Sequence, residues 1–140
     1  MKTESVAKMP DYVLEPLEGN RVRVTLYTNE VEIETDEGSH FQYDMYVTDT
    51  VSRPALGTYI SGNLDAWIAA CAEKEREIIA KEAREARNRL IAETDYLMAA
   101  DYPIDDDKRV EWAAYRQALR DVPEQPGFPY EIDWPHKPAK

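Results

Sequence analysis

Little in this chain is suited to covalent chemistry. One of its 140 residues is a cysteine, Cys71, so no internal disulfide can form, and a reduced, intracellular setting is expected. With no histidine near it to activate it, Cys71 reads as a small core residue. The two histidines, His40 and His136, leave a zinc site two ligands short. The run Asp105-Asp106-Asp107 meets Lys108 and Arg109 at once, without the glycine and closing glutamate of a calcium loop. Glycines are few, and Gly57 and Gly62 do not join a strand to a helix with a lysine behind them, as a phosphate loop requires. We therefore expect no catalytic residue, no metal, no cofactor and no enzyme. No apolar run approaches the ~18 to 20 residues of a spanning helix, and no signal-peptide core is evident. Basic residues number 17 against 28 acidic ones, a net charge of -11 that repels phosphate backbones and anionic headgroups. Neither nucleic acid nor a membrane is expected as a partner.

What is present is periodicity, and it divides the chain into four segments. Residues 1–20 form an arm punctuated by Pro10, Pro16 and Gly19. Residues 21–62 carry an antiparallel β-meander and a connecting loop. Val22, Val24 and Leu26 alternate with polar residues, as do Val31 and Ile33, and then Phe41, Tyr43, Met45 and Val47. A two-residue turn at Asn29-Glu30 would set Leu26 against Ile33 and Arg23 against Asp36. Residues 63–96 form one long charged helix capped by Asn63. Residues 97–140 hold a short second helix and an extended tail. The fold class expected is thus α+β, with a three-stranded meander, one long helix, a second short helix and a proline-rich tail.

The long helix is apolar in its first turns (Leu64, Trp67, Ile68, Cys71) and charged thereafter, with Glu77, Lys81, Glu85 and Arg89 as an i,i+4 ladder. About 30 residues give ~45 Å of helix at ~1.5 Å per residue, against a diameter of about 37 Å for a compact domain of this size. A narrow stripe, Ile79, Ala83, Ala86 and Leu90, is then left for a partner, a second or third copy included, or for light packing within the chain. The second helix should open at Asp105, place Asp106 and Asp107 on its positive end, and stop at Pro123. Trp112, Tyr115, Leu119 and Val122 share one side of it. In the tail Pro123, Pro126, Pro129, Pro135 and Pro138 fall in a period of three, suggesting a polyproline II edge.

Trp112, Tyr115, Phe128, Tyr130 and Trp134 crowd into this last stretch, interleaved with Arg116 and Arg120. Tryptophan, tyrosine and arginine carry most of the energy of protein interfaces. Trp112, Tyr115, Arg116, Leu119, Arg120, Phe128, Tyr130 and Trp134, with Ile79 and Leu90 on the long helix, are therefore the candidate partner-binding residues. A tail folded back over the second helix, Trp134 against Trp112, is an alternative use of the same side chains.

The run Arg89-Leu90-Ile91, Thr94-Asp95-Tyr96, Trp112, Tyr115-Arg116-Gln117-Ala118-Leu119-Arg120-Asp121, Pro123, Gln125-Pro126-Gly127-Phe128-Pro129 and Trp134-Pro135 resembles the C-terminal signature of bacteriophage tail assembly chaperones and tail-fibre assembly proteins. The likeness covers about residues 87–138. Ile91 and Tyr96 depart from it conservatively, standing where leucine and tryptophan are usual. The resemblance implies a protein of the host cytoplasm during phage assembly that binds a tail or tail-fibre protein and turns over no substrate. A subunit that stays in the virion, at a fibre attachment or the baseplate periphery, is the alternative it leaves open.

Overall fold

The computed structural model describes residues 1–139. The chain is α+β, and it divides into two compact units, Met1–Lys74 and a second from Glu75 onward.

The first unit is built on a four-stranded antiparallel sheet. The strands are β1 (Lys2–Ser5), β2 (Tyr12–Leu17), β3 (Arg21–Thr35) and β4 (Gly38–Val51), in the spatial order β1-β4-β3-β2. This corrects the expected three-stranded meander. The arm at 1–20 supplies both edge strands. Pro16, which reads as a breaker, lies in β2 opposite Val22, where an edge strand tolerates a missing N–H. Asn29-Glu30 is not a hairpin turn. Residues 21–35 run as one strand, with a register shift between Thr28 and Val31 and a left-handed Asn29 (φ 54°). The hairpin closes instead between Thr35 and Gly38, where Gly38 takes φ 125°. Leu26 therefore faces Tyr46, and Arg23 faces Asp49, whose carboxylate accepts from Arg23 Nε at 3.0 Å.

The alternation in β3 does bury one face. Val22, Val24 and Leu26 pack with Leu56 and Ile60 of helix α1 (Leu56–Gly62) and with Cys71 of helix α2 (Leu64–Ala92). Val24, Leu26 and Ile60 are fully enclosed, each contributing about 1.5–3 kcal/mol of burial. Helix α1 occupies what the sequence suggested was a loop. Asn63 follows it; its side chain donates back to the Tyr59 carbonyl (2.8 Å), and its own carbonyl accepts from the Trp67 N–H (3.1 Å) at the start of α2. Burial pushes the Cys71 thiol above its ordinary pKa, and Lys74 opposes this weakly. Elsewhere Tyr43, nearly enclosed, accepts from the Met9 N–H (3.0 Å) and donates to Glu30 (2.9 Å), while Lys8 donates to the other Glu30 oxygen (2.7 Å).

The second unit takes the rest of α2, a 3-10 turn at Asp95–Met98, helix α3 (Asp106–Asp121) and a second 3-10 turn at Val122–Glu124. Helix α2 is 29 residues long, about 44 Å at ~1.5 Å per residue. Among the described residues the α-helices thus number three, not two. Trp112, Tyr115, Leu119 and Val122 are all buried, so the stripe on α3 becomes core. The tail corrects the polyproline expectation as well. It turns at 126–130, where Phe128 N–H donates to Gln125 O and Glu131 N–H donates to Gly127 O, and residues 132–139 form no helix or strand. A Cβ on Gly127 would lie 2.5 Å from the Glu131 carbonyl oxygen, so the turn needs that glycine.

Candidate protein-binding site

Two arginines one heptad apart on α3 shape the second unit. Arg116 is enclosed, and its Nη1 donates to the Ile91 carbonyl (2.7 Å) and to Thr94 Oγ1 (2.8 Å), while Nη2 donates to Asp95 (2.7 Å). These three acceptors lie where α2 ends and the chain turns. Thr94 is itself buried and donates to the Ile91 carbonyl at 2.8 Å. Seven residues earlier, Arg109 Nη1 donates to the carbonyls of Leu97 (3.2 Å) and Ala99 (3.0 Å), and its Nη2 to that of Tyr102 (3.2 Å). A guanidinium offers five N–H donors in a rigid planar fork, a geometry that the single ammonium of a lysine does not reproduce. The segment from Ile91 to Tyr102 is therefore tied to α3 through its own backbone.

That tied segment forms one wall of a groove of about 340 Å³. Leu97, Ile104 and Trp112 line it with apolar surface, and Tyr96 and Tyr102 contribute aromatic rings. The two tyrosine rings meet edge to face at 5.1 Å, and both keep much of their surface in solvent. Lys108 and Lys137 contribute ammonium groups, each also beside a carboxylate: Glu111 at 2.9 Å and Glu93 at 3.8 Å.

The residues singled out from sequence fall into three groups. Trp112, Tyr115, Arg116 and Leu119 are buried and hold the unit together. Trp134 and Leu90 are half-buried and pack against the cluster of Leu97, Trp112, Tyr115 and Leu119, so the tail does return over α3. Phe128 is half-buried under the Arg84 guanidinium (5.3 Å), and Ile79 is also half-buried. Arg120 and Tyr130 are exposed. The groove brings together residues that sequence reasoning did not choose: Tyr102, Lys108, Lys137 and, behind them, Arg109. The i,i+7 spacing of Arg109 and Arg116 on an otherwise amphipathic helix was the available signal. Among the described residues no group of three His, Cys, Asp or Glu side chains is placed to hold a metal ion, and no helix is long and apolar enough to cross a membrane.

No curated protein and no solved structure matches this chain. A family match does exist over somewhat less than half of its length, and it falls on the unit just described. Residues 80–139 match the phage tail assembly chaperone protein family, the family their motifs resemble.

Proposed function

We propose that the protein is a non-catalytic factor of phage tail assembly that binds a tail or tail-fibre subunit in the host cytoplasm and releases it to the growing tail. The observation that carries this reading is the coincidence of the family match with a separately packed unit bearing an aromatic groove. The acidic surface, with a net charge of -11, fits a protein that must stay dispersed beside an aggregation-prone client. It also disfavours nucleic acid and anionic lipid as partners. Because Trp112, Tyr115, Arg116 and Leu119 are enclosed, client contact falls to exposed groups such as Tyr96, Tyr102, Arg120 and Tyr130. Self-association through α2 would draw on Ile79, Ala83 and Ala86, since Leu90 packs within its own unit.

Co-expression with each protein of the phage's tail genes tests the reading. One tail or fibre protein is expected to gain several-fold in soluble yield and to co-purify. Unchanged yields for all of them, with no co-purification, would overturn it.

A further inference from the structure

We propose that the outer edge of β3 at 31–35 takes up an extended client segment as a fifth strand of the sheet, one whose side chains alternate between lysine or arginine and β-branched apolar residues. The proposal rests on the assembly reading only in naming the client as the source of that strand. It places the contact in the first unit, outside the residues that match the family.

The open edge follows from the register. Tyr27 N–H points to the β2 side, where it donates to the Asp11 carbonyl (3.0 Å), and β2 ends at Tyr12, opposite Leu26. Beyond it the shift between Thr28 and Val31 resets the phase of β3. Met45 N–H donates to the Met1 carbonyl on the β1 side, so Gln42 and His40 turn their backbone groups the other way, to Val31 and Ile33. The N–H and C=O of Glu32 and Glu34 are left pointing outward, and no described strand pairs with them.

Two rows of side chains define what can lie beside this edge. Glu32 stands opposite Phe41 and Glu34 opposite Ser39 on one face, and Val31 and Ile33 stand on the other. Val31 is 52 % exposed and lies outside the core cluster. Positions 30–37 hold five carboxylates and no basic residue. Glu30 is already paired with Lys8 (2.7 Å), but neither Glu32 nor Glu34 has an ion pair among the described residues. An added strand sets alternate residues against Glu32 and Glu34, which calls for lysine or arginine. The others fall beside Val31 and Ile33, which favours valine, isoleucine or threonine. The same carboxylates, with the net charge of -11, repel an acidic strand and a second copy of this edge while drawing in a basic strand. Local and long-range charge agree on the occupant.

Titrating the isotope-labelled full chain with a short peptide alternating lysine and valine tests the proposal, read by amide shifts and amide exchange. A peptide of the same composition with its lysines and valines in separate blocks, and one with glutamate in place of lysine, are the controls. The alternating lysine peptide should shift the Glu32 and Glu34 amides and slow their exchange, and both controls should bind about tenfold or more weakly. Glu32→Lys combined with Glu34→Lys, at two exposed positions, should weaken the lysine peptide by about tenfold or more and admit the glutamate peptide instead. Circular dichroism melting confirms that this variant folds, and the three peptides on the unaltered chain carry the test if it does not. No binding, equal binding of the block peptide, or shifts confined to residues outside 31–35 would overturn the proposal. So would dimerisation that protects the Glu32 and Glu34 amides without any peptide, which would assign the edge to a second copy. Co-expression with the charge-reversed variant separates the two claims. A client still solubilised by it sinks the edge assignment and leaves the assembly role intact. Strand addition by the peptide with no tail client found upholds the edge and sinks the role.

Discussion

Replacing Arg116 with lysine should destabilise the second unit far more than neutralising its ionic partner. The side chain of Arg116 is 9 % exposed, whereas that of Asp95 is 63 % exposed. An ion pair with so exposed a carboxylate is screened and is worth less than about 1 kcal/mol. The bonds to the Ile91 carbonyl and Thr94 Oγ1 are different, because those acceptors sit where water has little access. Hydrogen bonds from a charged donor contribute about 1.5–3 kcal/mol each. A lysine ammonium keeps the charge but cannot serve both sides of the fork, so Arg116→Lys should cost about 2 kcal/mol. Asp95→Asn should cost less than about 1 kcal/mol. Urea unfolding followed by tryptophan fluorescence reads the difference, Trp112 being buried in the same unit. At a slope of ~1–2 kcal/mol per molar, the Arg116→Lys midpoint falls by roughly 1–2 M with the slope unchanged. Equal losses for the two variants would mean that the ion pair, not the backbone tie, holds the corner.

Three further outcomes are expected. Leu119→Ala, at a fully enclosed position, should cost about 2–5 kcal/mol, while Val110→Ala on the exposed side of the same helix stays within about 0.5 kcal/mol; thermal melts distinguish them. The hydrogen bond from Lys8, and then that from Tyr43, hold the Glu30 carboxyl below its ordinary pKa of 4.5. A depressed carboxylate stabilises the fold above its unfolded pKa and loses that effect as pH falls through the folded value. Amide exchange at Met9, whose N–H donates to Tyr43, should thus stay protected at neutral pH and be released only below about pH 4.5; Glu30→Gln should remove that acid step. Gln125 donates to the Asp133 carbonyl (2.8 Å) and accepts from its N–H (2.9 Å). Gln125→Glu keeps only the acceptor, costs about 1 kcal/mol, and should speed proteolysis of the tail several-fold with the rest of the chain resistant.

The sequence announced some of this architecture and concealed the rest for identifiable reasons. The alternation of Val22, Val24 and Leu26 and the spacing of Trp112, Tyr115, Leu119 and Val122 were legible because burial imposes those periods. Asn29 was not legible: a left-handed asparagine suits both a hairpin turn and a bulge, and only the pairing of β3 with β4 up to Thr35 decides between them. Both edge strands lay hidden in the arm. β1 has almost no apolar alternation, and β2 carries a proline that only an edge position admits. Prolines every third residue suggested an extended tail, but the period says nothing about Gly127, whose close approach to Glu131 permits the turn. At the candidate site, composition singled out side chains of which Trp112, Tyr115, Arg116 and Leu119 are buried, a use it could not tell from an exposed one. Tryptophan and arginine serve interfaces and cores alike, and which role Trp112 and Arg116 take depends on Leu97, Ile91 and Thr94, contacts that spacing along one helix does not reveal.

Quantitative mass spectrometry of gradient-purified virions, set beside the infected-cell lysate, tests the central claim most directly. The account predicts abundant peptides of this chain in the lysate and none at stoichiometric level in the particles. A fixed copy number per tail would contradict it and make the protein a structural subunit.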